Sequence, residues 1–219
     1  MTVTGIRIDQ ITSLSDYDNG SAHENVLRWV SFLASALHIP DNGIQACRTS
    51  LEAILLATYG EPRSYTTKEP ESGEEDECQT SNLSPDELTK ALITVLVSDR
   101  LTTRPKMTSD DIKAILKLTS TQCEPDFTAK VKAAFEAGTK KRRLAVTKEY
   151  HIGTVPEQVH TLDFVFILFE CSVPVVMRMR EDQNSYQFVG ECYINGFMDG
   201  EAVAMTVKGN MKEEELRLR

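Results

Sequence analysis

The sequence predicts an α+β protein, an N-terminal helical region followed by a small antiparallel β-sheet or partly open barrel. Three observations carry this expectation. Capping boxes at Ser21-Ala22-His23-Glu24 and Ser84-Pro85-Asp86-Glu87 mark helix starts within the first two-thirds of the chain. After Gly138 the apolar residues leave helical spacing and form β-branched or aromatic runs divided by turn residues. The last of these runs is followed by Asn195-Gly196 and Asp199-Gly200, two turn dipeptides.

The first helix follows Ser21, with Val26, Leu27, Val30, Leu33, Ala34 and Leu37 at helical spacing. Residues 40–43, Pro-Asp-Asn-Gly, are expected to break it. A second helix is predicted over 44–59, with Leu51, Ile54, Leu55 and Thr58 on one face and Gly60 as its stop. The third has Pro85 at its first position and an apolar face of Leu88, Leu92, Val95 and Leu96. Thr108 opens a short fourth helix carrying Ile112, Ile115 and Leu116, and residues 125–137 form a fifth, closed by Gly138. Strands are then expected at 144–152, 162–169, 173–179 and 186–194, with 202–207 as a further strand. In the third of these, Val175, Met177 and Met179 alternate with Val176, Arg178 and Arg180, which predicts one wet face. The run Phe164-Val165-Phe166-Ile167-Leu168-Phe169 is apolar on both faces and predicts a central strand. The resulting divisions are 1–60 helical, 61–83 an acidic flexible loop, 84–138 helical, 139–209 a β-rich module, and 210–219 a charged tail ending in a frayed helix.

The chain has 219 residues, enough to bury a substantial core, with 41% hydrophobic and 26% charged residues. Its net charge of −9 argues against non-specific nucleic-acid binding. Residues 61–83 hold seven acids and two bases, so the rest of the chain is only mildly acidic. No apolar run approaches the roughly 20 residues that span a bilayer. Five cysteines, without CxxC spacing or a leading signal segment, read as reduced thiols and predict a cytoplasmic protein.

The stretch Val189-Gly190-Glu191-Cys192-Tyr193-Ile194-Asn195-Gly196-Phe197-Met198-Asp199-Gly200-Glu201-Ala202 has the pattern V-G-E-C-Y-x-x-G-x-M-D-G-E-A. It resembles the C-terminal region of fungal heterokaryon-incompatibility (HET) domain proteins. Arg142-Arg143-Leu144-Ala145-Val146-Thr147 is similar to that region's R-R-x-x-x-T segment, and Val173-Pro174-Val175-Val176-Met177-Arg178 to its V-P-x-V-x-R strand. Further back, Gly5-Ile6-Arg7-Ile8-Asp9-Gln10-Ile11 resembles the G-x-x-x-D-x-I segment that follows the signature domain. The family's glycine-rich G-Y-L-G-L-G-P is replaced by Glu149-Tyr150-His151-Ile152-Gly153-Thr154-Val155-Pro156. The amino-terminal incompatibility domain, to which cell-death activity is attributed, has no counterpart in these residues. The resemblance implies non-self recognition and regulated cell death after cell fusion as the setting.

No motif specifies a reaction. Cys192, with Glu191 beside it and His151 as base, is the weak candidate for a catalytic thiol, against a buried structural cysteine. Glu191, Asp199 and Glu201 offer a carboxylate cluster for a hard cation, against turn chemistry, with Glu201 capping or pairing with Arg178. His151 and His160 lack further residues at zinc-ligand spacing. Lys140-Lys141-Arg142-Arg143 reads as an anion patch, a nuclear address or a solvated connection. The leading expectation is a non-enzymatic regulatory or interaction module. It presents Arg178, Arg180, Tyr193, Asn195, Asp199 and Glu201 to an unidentified protein partner and uses no metal and no cofactor. The alternatives are a small cytosolic enzyme, a hydrolase or biosynthetic auxiliary using Cys192, and a truncated product without an independent role.

Overall fold

The structure is a computed structural model, and it describes residues 1–16, 20–59, 84–98, 107–119, 124–180 and 185–219. The expected acidic loop at 61–83 lies outside the described residues.

Local signals set the helix starts. Helix α1 (Ala22–Ala36) begins at Ser21, whose Oγ accepts from the Glu24 N–H while the Glu24 carboxylate accepts from the Ser21 N–H at 2.8 Å. Helix α2 (Asp41–Tyr59) starts earlier than the sequence suggested. The break falls at His38, which takes a left-handed φ of 50°, and the Pro40 carbonyl then accepts from Gly43 and Ile44 to start the new helix. Helices α3 (Pro85–Leu96) and α4 (Ser109–Leu116) carry the same reciprocal caps at Ser84 and Thr108. Helix α5 (Pro125–Thr139) runs through Gly138 instead of ending there.

These helices share one core, in which Trp29, Leu33, Leu51, Leu55, Leu92, Leu96 and Phe135 are fully or almost fully buried. Leu144, Val146, Ile152 and Tyr193 join the same core from the sheet, so the helices pack on one of its faces.

The sheet begins with β1 (Thr2–Leu14), which corrects the helical assignment of 1–60 at its start. The remaining strands are β2 (Arg142–Thr147), β3 (Ile152–Pro156), β4 (Phe164–Leu168), β5 (Val175–Met179), β6 (Tyr186–Glu191), β7 (Tyr193–Ile194) and β8 (Glu213–Arg217). Their order is β6-β5-β4-β1-β2-β3-β7, with β8 paired to β1. All paired strands are antiparallel, and the sheet is not closed. The two ends of that path, β6 and β7, are nonetheless consecutive in the chain, with Cys192 alone between them. The sheet therefore curls around an interior of Ile6, Ile8, Ile11, Val155, Val165, Val176, Cys192 and Ile194. A smaller cluster on the opposite side, including Phe166, Met177, Tyr186 and Leu216, lies under β8.

Four further expectations change. The run 144–152 is a β2–β3 hairpin with Tyr150 at a positive φ of 63°, not one strand. Residues 202–207 belong to helix α6 (Glu201–Val207), which follows a left-handed Gly200. The charged tail is strand β8, not a frayed helix, because pairing with β1 and burial of Leu216 override the helical preference of its glutamates. Strand β5 has no wet face over Val175, Val176 and Met177, since Val176 packs in the barrel interior and Val175 and Met177 in the cluster on the opposite face. The central placement of β4, between β1 and β5, is as predicted.

A Cβ on Gly138 would fall on the Leu96 carbonyl oxygen, so glycine here lets α5 meet the end of α3. Alanine would ordinarily favour a helix interior by about 1 kcal/mol. At this position the overlap wins, and Gly138→Ala is expected to lower the unfolding free energy by about 3 kcal/mol in urea titrations followed by circular dichroism. An unchanged or raised midpoint would contradict the close approach.

Candidate functional site

Asp163, in the turn before β4, is 3% exposed and accepts three hydrogen bonds. Its Oδ1 accepts from Arg178 Nε at 2.8 Å and its Oδ2 from Arg178 Nη2 at 2.8 Å. Oδ2 also accepts from the His160 N–H at 2.9 Å, and Arg178 Nη2 donates to the Gln158 carbonyl at 2.9 Å. The hydrogen bonds and charge of Asp163 raise the Arg178 pKa above its ordinary value, against partial desolvation. This bidentate pair joins β5 to the β3–β4 connection. Beside it opens a shallow cleft of about 320 Å3, lined in part by Gln10, Leu162, Phe164 and Met179.

The expected catalytic trio does not assemble. Cys192 is buried in the barrel interior, and burial pushes its thiol up to about 12, with Arg142 opposing and Glu191 reinforcing the shift. Glu191 is exposed on the outer surface. The His151 ring meets Phe197 edge-on at 4.8 Å, and desolvation lowers its pKa despite Asp9 and Glu149. No hydrogen bond joins any two of the three. Strict alternation along residues 186–192 would place Cys192 on the face of Tyr186 and Phe188. A bulge in β6, where Val176 pairs with Gly190 but Met177 pairs with Phe188, inserts Val189 and shifts the parity. Cys192 turns into the barrel, Tyr186 joins the opposite cluster, and Phe188 is left 51% exposed.

The residues expected at a partner surface divide. Tyr193 is 4% exposed and packs under the helices, and Arg178 is held by Asp163. Arg180 and Asp199 are exposed, and Asn195 and Glu201 are half-buried. Gly196 and Gly200 both have φ of 86°, as the two turns require. The Glu201 carboxylate accepts from the Asp199 N–H at 2.6 Å and does not pair with Arg178. Among the described residues, no three His, Cys, Asp or Glu side chains group as metal ligands. No described helix is long and apolar enough to cross a membrane.

The motif residues hold the barrel together. Arg143 donates to the Ser15 carbonyl at 2.6 Å and the Val159 carbonyl at 3.2 Å, while Arg142 donates to the Glu191 carbonyl at 2.8 Å. Asp9, 8% exposed, accepts from the Gln10 N–H and the Glu149 N–H, each at 2.7 Å. Sequence reading singled out neither Asp9 nor Asp163 as a site. The signal available for Asp9 was a carboxylate between Ile8 and Ile11 in an alternating run, where only a partnered acid is tolerated.

The fold is a half-open β-barrel with helices on one outer face, its joints tied by part-buried arginine contacts. The family described as the Het-6 beta-barrel domain matches residues 98–211. The chain belongs to this family. Strands β1 and β8 lie outside the matched stretch yet pair within the same sheet. Neither the curated proteins nor the solved structures contain a match to this chain.

The site geometry sets three expected outcomes. Arg178→Met leaves the buried Asp163 carboxylate without its cation and is expected to cost about 3–5 kcal/mol in urea unfolding. The double variant Arg178→Met/Asp163→Asn is expected to recover part of that loss, and a strictly additive pair would deny the coupling. For Cys192, the raised folded pKa means stability is intact below about 9 and falls as pH rises toward about 12, because only the unfolded thiol ionises there. At pH 8 exposed Cys171 should alkylate promptly and Cys192 only on unfolding, read by peptide mass spectrometry.

Proposed function

We propose that the chain is a non-enzymatic interaction module of a heterokaryon-incompatibility-type protein, working in fungal non-self recognition and regulated cell death. The observation that carries this reading is the fate of the motif residues. Arg142, Arg143, Arg178 and Cys192 bind backbone carbonyls, pair with a buried carboxylate or fill the barrel interior. A motif built of such residues maintains a shape, and a maintained shape with chemically varied exposed turns suits protein recognition. Arg180 and the turn residues Asn195, Asp199 and Glu201 are the contact points left accessible by the fold. The module acts on cell fate through what it binds.

The test is to express the chain and its Arg180→Glu/Asp199→Lys variant in fungal strains of opposing compatibility type, then score viability after hyphal fusion and co-purifying proteins. The wild type should alter viability and retain a defined partner, while the variant, folded to the same melting temperature, should lose both. Identical viability and partners for the two proteins would remove these residues from the contact. An unaltered viability with the wild type would remove the proposed setting.

A further inference from the structure

The sheet fails to close at one place, between the C-terminal half of β3 and the edge of β6, and the reason is local. The Ile152 carbonyl accepts from the Asn195 N–H at 2.9 Å, so the even-numbered residues of β3 direct their backbone groups toward β7 and β6. Gly153 and Thr154 pair with β7, and the next such position is Pro156, which has no N–H. Its carbonyl is already taken by the Val159 N–H at 3.2 Å. With donor and acceptor both removed, the ladder cannot continue. Side chains bridge the seam instead: Gln158 donates to the Val189 carbonyl at 3.3 Å and Arg142 to the Glu191 carbonyl at 2.8 Å. Gly190 lets the two strands approach there, since a Cβ would meet Pro156 Cγ at 2.7 Å.

Outside this seam runs a groove of about 550 Å3, lined by Lys140, Lys141, Arg142, Glu157, Phe188 and Glu191 among others. Two features aim it outward. Lys141 takes a left-handed φ of 54°, uncommon for a residue with a side chain, at the step from α5 into β2. Phe188, beside the Val189 bulge, is turned to solvent at 51% exposure. Lys140 and Lys141 are exposed and form no ion pair among the described residues, while the Arg142 guanidinium is fixed by its backbone acceptor. In a chain of net charge −9, this places cations beside an uncovered aromatic ring.

We propose that this groove binds an acidic peptide segment of a partner protein that carries one large apolar side chain. The inference rests on the interaction-module reading. The apolar side chain lies on Phe188, and the flanking carboxylates meet Lys140 and Lys141. Glu157 and Glu191, which line the same groove, repel a uniform polyanion, so an acid pattern interrupted by an apolar residue is favoured. Neither Arg180 nor Asp199 lines this groove.

The experiment uses the purified full chain and fluorescein-labelled 12-residue peptides with four glutamates flanking a single leucine or phenylalanine, read by fluorescence anisotropy. Saturable binding is expected, weakening several-fold between 50 and 300 mM salt as screening lengths shrink. Lys140→Glu/Lys141→Glu and Phe188→Ser should each weaken it about tenfold while melting like the wild type. Equal binding by the two variants, or by peptides with glutamine in place of glutamate, would overturn the assignment. So would tighter binding of a single-stranded 12-nucleotide DNA, which would make the groove a general anion patch. A failure here removes the groove alone, since the module reading is judged by viability after fusion.

Discussion

Strand β1 has to pair with three neighbours, and the sheet hangs on the way its backbone is bent to do so. Residues 5–10 pair with β4 along one edge, while the other edge serves β8 through residues 2–6 and β2 through the register that starts at Ile11. Register shifts between Arg7 and Asp9, and again between Ile11 and Ser13, give the strand the curvature that takes it from one arm of the sheet to the other. A bulge leaves backbone donors without ladder partners, and a buried orphan donor is expensive. The Asp9 carboxylate accepts from one donor at the bend, the Gln10 N–H, and from the Glu149 N–H of the β2–β3 turn, and so ties the bend to that turn. Without that carboxylate the two arms would meet at an uncompensated corner.

The same economy governs the far side of the barrel. Pro156 ends the ladder, and the strands are then kept in register by guanidinium and amide side chains reaching backbone carbonyls. Arg143 and Arg178 perform comparable work at neighbouring joints. Arginine suits this because its planar fork reaches several acceptors at fixed angles. The Het-6 barrel is thus a sheet whose missing hydrogen bonds are replaced by side chains.

How much of this the sequence disclosed depended on the range of each interaction. Helices α1, α3 and α4 were legible because a capping box is complete within four residues. Strand β1 was not, since its partners begin at Arg142 and nothing nearby distinguishes its alternation from a short loop. Helix α6 and strand β8 exchanged their expected identities for the same reason: docking onto β1 decided both, against weak local preferences. At the candidate site, Cys192 is buried, as its structural reading has it, whereas Arg178, expected at a partner surface, is held by Asp163. A single inserted residue, Val189, puts Cys192 on the opposite face of the sheet from Tyr186. The charge partner of Arg178 was a turn residue fifteen positions away, a pairing that only β4–β5 adjacency creates.

The position of β1 has a consequence for how the chain reaches this shape. β1 is made before all three of its partner strands, which follow only after the described helices α1 to α5 have been synthesised. Closing loops of that length is slow, and topologies dominated by distant contacts fold late. During that interval Ile6, Ile8 and Ile11 are uncovered on a strand with both edges open, while α1 to α5 can already gather around Trp29 and Phe135. The helical layer then precedes the sheet as an early folding unit, and the nascent β1 is the segment a chaperone would have to shield.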